Sequence, residues 1–104
     1  MNGEIVKPKI GQKVYIIYRN TDIYVEEVFM LGDNAFIHQN CLSDKYLEDY
    51  RKVILYCEYG IRWFTTLAKA KDFLLNHLHP LDKSKYVVKK HDSYDGGFWR
   101  LEKV

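Results

Sequence analysis

The sequence predicts an α+β domain, a strongly bent antiparallel sheet with one helix, in the element order βββββ-α-ββ. Three observations predict it. Short β-branched and aromatic runs recur from Lys13 to Phe64, punctuated by glycine, asparagine and aspartate. A single stretch, about residues 66–78, carries its apolar residues at helical spacing. Two further apolar runs then flank a glycine-rich turn, which predicts a closing hairpin.

Each element has its own signal. Lys13 to Arg19 is an unbroken β-branched and aromatic run ending at the turn formers Asn20, Thr21 and Asp22. Ile23 to Leu31 alternates until the Glu26, Glu27 pair breaks the phase, so a bulge or bend is expected near Glu26. Gly32, Asp33 and Asn34 turn the chain into a third strand, Ala35 to Gln39, and the three strands read as a meander. Residues 43–51 fit either a short helix capped by Ser43 or an irregular acidic excursion.

Val53 to Cys57 reads as a strand, and Gly60 as the left-handed residue of a loop leading to a fifth strand at Ile61 to Phe64. The register that segregates best puts Leu55, Cys57, Ile61 and Trp63 inside and Tyr56, Glu58, Arg62 and Phe64 outside. The helix is capped by Thr65 or Thr66, with Leu67, Ala70, Leu74 and Leu78 on one stripe, and Pro80 ends it. Lys85 to Lys90 and Phe98 to Lys103 form the hairpin around Gly96 and Gly97, with Trp99 and Leu101 inward and Arg100 and Glu102 in solvent.

A chain of 104 residues is expected to make a single domain, 1–104, with one core. Nothing at its start has signal-peptide character and no apolar run reaches membrane-spanning length, so a cytoplasmic protein without membrane contact is expected. Two cysteines make no disulfide framework, and Cys57 in its apolar run reads as a small buried hydrophobe. The net charge of +2 is unevenly spread: residues 20–60 hold eight acids against three bases. That balance disfavours a whole-surface nucleic-acid mimic and allows two faces of opposite sign.

No motif points to catalysis or a cofactor. His38 and Cys41 have the spacing of half a zinc site, but a second ligand pair is missing. His77 and His79 point about 200° apart on a helix and cannot share an ion. Cys41 with His38 is the one nucleophile–base pairing to weigh, and no elbow motif surrounds any serine. Asp44, Glu48 and Asp49 lack an apolar pocket to tune them, so a non-catalytic protein is expected.

Gly11, Gln12, Lys13, Val14 and Tyr15, together with Tyr59, Gly60, Ile61, Arg62, Trp63, Phe64, Thr65, Thr66, Leu67, Ala68, Lys69 and Ala70, resemble small uncharacterised accessory proteins of Gram-positive phages and integrated elements. The N-terminal half is similar to SH3-like small barrels. The resemblance covers residues 11–78 and implies a partial barrel and a mobile-element setting, with no catalytic residues to carry over.

Two surfaces remain as binding candidates. The acidic aromatic set Tyr46, Tyr50, Tyr56, Glu58, Arg62 and Phe64 has the composition of a protein interface. With the resemblance, it implies a module that binds a host protein such as a defence nuclease, in the manner of an anti-CRISPR. The alternative is a nucleic-acid-binding regulator using Lys7, Lys9, Lys13, Lys85, Lys89, Lys90 and Arg100, joined in one surface if the chain ends meet in the fold.

Overall fold

Alternating β-branched and aromatic residues favour a pleated sheet, and here they form seven antiparallel strands curled into a half-barrel with one short helix. The structure is a computed structural model that describes residues 5–40, 52–78, 83–91 and 98–104. The strands are β1 (Lys13–Tyr18), β2 (Asp22–Leu31), β3 (Ala35–Asn40), β4 (Lys52–Leu55), β5 (Trp63–Phe64), β6 (Tyr86–His91) and β7 (Phe98–Lys103). The helix α1 (Leu67–Phe73) continues into a π-helical turn, Leu74–Leu78. Five strands, a helix and two strands follow in the expected order. The expectations for residues 43–51, for Pro80 and for Gly96 and Gly97 lie outside the described residues.

The ten-residue strand β2 is shared by three neighbours. β1 lies along one edge, from Lys13 opposite Glu27 to Tyr18 opposite Asp22. The other edge is divided: β3 takes Glu26 to Leu31, and β7 takes Asp22 and Ile23. The sheet runs β4-β3-β2-β1-β5, with the β6–β7 ribbon branching from β2. The register slips between Val28 and Met30, so the bulge falls at Phe29 rather than near Glu26.

Each face of this sheet carries a buried cluster. One carries Val14, Ile16, Val28, Phe36, Ile54, Tyr56 and Trp63. The other carries Ile17, Ile23 and Phe64 against Ala70 and Leu74 of the helix. Thr66 caps that helix by accepting from the Lys69 backbone N–H at 3.3 Å, which decides between the two threonines.

The hairpin expected at Gly60 does not form. β4 pairs with β3 and β5 pairs with β1, and a 3₁₀ turn, Tyr56–Glu58, lies between them. Gly60 does take the left-handed conformation, at φ +87°, but inside a turn in which Ile61 and Arg62 both donate to the Glu58 carbonyl. The expected inside and outside sets are therefore corrected. Tyr56 and Phe64 are buried, Leu55, Cys57 and Ile61 are exposed, and only Trp63 lies inside as expected. The reason is two-sided burial: Trp63 enters the first core and Phe64, its neighbour, enters the helix-side core.

Stability measurements test this face assignment. Ile54→Ala, in the first core, is expected to cost about 2–5 kcal/mol in urea unfolding. Ile61→Ala is expected to change stability by no more than about 0.5 kcal/mol. Equal costs at the two positions would contradict the assignment.

Candidate functional site

Of the described members of the acidic aromatic set, Tyr56 and Phe64 do not share a surface with Glu58 and Arg62. Tyr56 and Phe64 are core residues, and the Tyr56 hydroxyl donates to the Gly32 carbonyl at 2.8 Å. Glu58 and Arg62 stay at the surface as an i, i+4 ion pair at 3.5 Å, and Glu58 also accepts from the Leu55 backbone N–H. Tyr46 and Tyr50 lie outside the described residues, as do Cys41 and His79.

The basic residues form two groups rather than one. Lys13 is opposite Glu27 and Arg100 is opposite Asp22, so the groups are five residues apart along β2, roughly 17 Å. In the first group Lys7 lies over the Tyr56 ring, 5.6 Å from its centroid, and the Lys9 backbone donates to the Gln12 side chain. The second group belongs to the β6–β7 ribbon. Among its residues 84–91 and 98–104, five bases (Lys85, Lys89, Lys90, Arg100 and Lys103) stand against one acid, Glu102.

Register decides which ribbon residues share a face. Val87, Lys89 and His91 oppose Glu102, Arg100 and Phe98, and alternation puts these six on one side. Lys90 opposes Trp99 on the other side, its ammonium 5.7 Å from the indole centroid, and Trp99 and Val88 close the helix-side core. Lys85 sits at the ribbon's start, where its carbonyl accepts from Val104. Lys89 is exposed and pairs with no carboxylate among the described residues.

Arg100 is not in free solution, which corrects the sequence expectation. Its Nε and Nη2 donate to the two oxygens of Asp22 at 2.9 and 3.0 Å, and the Thr21 hydroxyl donates to Asp22 as well. Burial would raise the Asp22 carboxyl, but the bonds from Arg100 and Thr21 and the Arg100 and Arg19 charges outweigh it and hold the group below its ordinary range. The same contact raises the guanidinium, first through the hydrogen bonds and then through the charge of Asp22.

Beside this fork stands a row of rings that no sequence motif announced. Phe98 is stacked between Tyr24 and His91, with centroids 5.1 and 5.3 Å away and planes within 9° and 11°. The Arg100 guanidinium lies 4.7 Å from the Phe98 centroid, and His91 pairs with Glu102. Tyr18 meets Tyr24 edge-on at 5.2 Å and donates its hydroxyl to Glu26, which in turn faces His38 Nδ1 at 3.3 Å. Burial, then the Glu26 charge, pushes the Tyr18 phenol well above its usual range, so it stays a donor. No spacing within one strand signals this row, because Tyr18, Tyr24, Phe98 and His91 stand on four different strands and only the branching of the sheet joins them.

Among the described residues, no three His, Cys, Asp or Glu side chains gather to hold a metal ion, and no helix is long and apolar enough to cross a membrane. No family model and no solved structure matches the chain. A cysteine–tRNA ligase of Mycoplasmopsis pulmonis is similar to it, 27% identical over 88 residues. That stretch is 82% of this chain and 14% of the ligase, so the chain spans a small part of that protein's length.

The fork has a pH signature. Because the Asp22 carboxyl is depressed in the fold, its contribution is complete above the unfolded carboxylate range and is lost as pH falls through the lower folded value. The melting temperature is expected to drop below about pH 4, and Asp22→Asn is expected to be less stable near pH 7 and to lose less on acidification. A variant with the wild-type acid limb would remove Asp22 as its source.

Proposed function

We propose that the chain is a non-catalytic RNA-binding module that holds a single strand along the outward face of the β6–β7 ribbon. One observation carries this reading: Lys89 stands across the strands from Arg100, directly beside the stacked His91, Phe98 and Tyr24 rings. A cation beside half-exposed rings is the combination that binds single strands, phosphate on the Lys89 ammonium and bases against the rings, while Arg100, held by Asp22, keeps Phe98 in place. The ribbon's excess of bases over acids supplies the longer-range attraction. The likeness to part of a protein whose name states that it joins cysteine to tRNA favours RNA over DNA.

Lys89 is the residue to change, since it is exposed and has no carboxylate partner among the described residues. In fluorescence anisotropy with a short single-stranded RNA at low salt, Lys89→Glu is expected to weaken binding about tenfold or more. Wild-type affinity should fall as salt rises, with a slope of about −0.7 per phosphate contacted. Absence of binding at low salt, or wild-type affinity in Lys89→Glu, would overturn the proposal.

A second reading keeps the phage or mobile-element setting and a host protein, such as a defence nuclease, as the partner. It is favoured by an exposed apolar row that replaces the expected acidic aromatic face. Met30, Ile37 and Val53 are in register across β2, β3 and β4, with Leu55 beside them, and Met30, Val53 and Leu55 are exposed. On this reading Val53→Asp abolishes partner binding while Lys89→Glu leaves it intact, as co-purification with the partner would show.

A further inference from the structure

A groove of about 550 Å³ opens between the Tyr59–Gly60 turn and the helix, and none of the residues lining it belongs to β6 or β7. Its size is that of small-ligand sites. Its chemistry is graded along the helix. At one end Phe73 and His77 are stacked at 4.9 Å with planes within 8°, a flat aromatic wall, and Phe64 flanks it at 5.5 Å from Phe73 with its ring tilted by 46°. Nearer the helix start, the Lys69 ammonium donates to the Tyr59 hydroxyl at 3.3 Å, and Lys69 pairs with no carboxylate among the described residues. Asp72 lines the groove between the two and accepts from Asn76.

A flat wall, a separate cation with a hydroxyl, and a carboxylate between them describe a ligand with a planar ring, an N–H donor and an anionic group held apart from the ring. Lys69 and Phe73 are about 6 Å apart along the helix axis, and His77 lies one π-helical turn further on. An aromatic amino acid is too short for that span, because its carboxylate is separated from the ring by only two carbons. A nucleotide has a ribose between base and phosphate and reaches both ends.

We infer that this groove binds a nucleoside monophosphate, with the base against Phe73 and His77, an exocyclic amino group donating to Asp72, and the phosphate on Lys69 and the Tyr59 hydroxyl. Thr65 and Lys69, against the effect of burial, hold the Tyr59 phenol below its ordinary range, which makes its hydroxyl a better donor to phosphate. The site is independent of the ribbon and does not require that the ribbon bind RNA.

Titration of the full chain with AMP, GMP, CMP and UMP, followed by backbone amide shifts in NMR, tests it. Saturable binding below about 1 mM is expected, with shifts at Ala68, Lys69 and Asp72, and with the matching nucleosides about tenfold weaker. Lys69→Glu is expected to lower affinity about tenfold or more, and Asp72→Asn to narrow the preference for AMP, GMP and CMP over UMP. Both positions are exposed on the helix, so neither change disturbs the core. Lys89→Glu should leave these titrations unchanged, which separates this site from the ribbon. No saturation by any nucleotide, equal binding of inorganic phosphate alone, tighter binding of tryptophan, or wild-type affinity in Lys69→Glu would each overturn the inference.

Discussion

Asp22 opens β2 as a buried carboxylate, and the way its charge is satisfied fixes where the last third of the chain can lie. A buried anion without partners is strongly destabilising, and here Arg100 supplies two parallel donors and Thr21 a third. The partners are 78 residues apart, so the contact closes nearly the whole described chain. The backbone reinforces it, because Leu101 N–H donates to the Thr21 carbonyl at 2.9 Å. β7 is thereby placed on the first two residues of β2, and the rest of that edge is left to β3. The half-barrel and the ribbon share a strand because one carboxylate and one guanidinium meet at its start.

That placement explains how much of the fold could be read in advance. The meander, the helix with its leucine stripe and the closing hairpin were legible because each is held by signals within a few residues: β-branched runs, a threonine cap and turn formers. The stretch from Val53 to Phe64 was not legible, because its two strands are adjacent in sequence yet pair with β3 and β1 instead of each other. A reading that assumes one buried face must put Trp63 and Phe64 on opposite sides of the boundary between core and solvent. Two consecutive large aromatic residues were themselves the hint of burial on both faces. Of the candidate site, Lys89 and Arg100 were named from sequence, whereas Tyr24, His91 and Phe98 were not. Their meeting depends on a register between strands some seventy residues apart.

The Glu26, Glu27 pair shows a related limit. Two adjacent acids looked like a break in the strand's alternation, but the alternation runs through them: Glu26 points into the first core and is 3% exposed. It is tolerated because Tyr18 donates to one oxygen and His38 stands at the other. His38 is itself fully buried, and its Nε2 has no partner among the described residues. A polar contact thus sits in the sheet where an aliphatic pair would be expected, and it selects one register of β2 against β3. Sliding β3 by one residue would turn His38 to the opposite face and leave Glu26 buried without it.

The row of rings and this polar pair are successive parts of one sheet face, running from His91 through Phe98, Tyr24 and Tyr18 to Glu26 and His38. The face is apolar and closed at the β4 end and basic and open at the β6 end. The change of character occurs at Asp22. Because Arg100 is committed to that carboxylate, its charge is largely neutralised locally, and its contribution to the open end is geometric: it holds β7 so that Phe98 stacks on Tyr24. Lys89, across the strands and without a carboxylate partner among the described residues, is the cation that the proposed function assigns to phosphate. Arg100, which the sequence offers only as one of seven basic candidates, is by its geometry a positioning residue, and in the proposed function the lysine beside it is the contact.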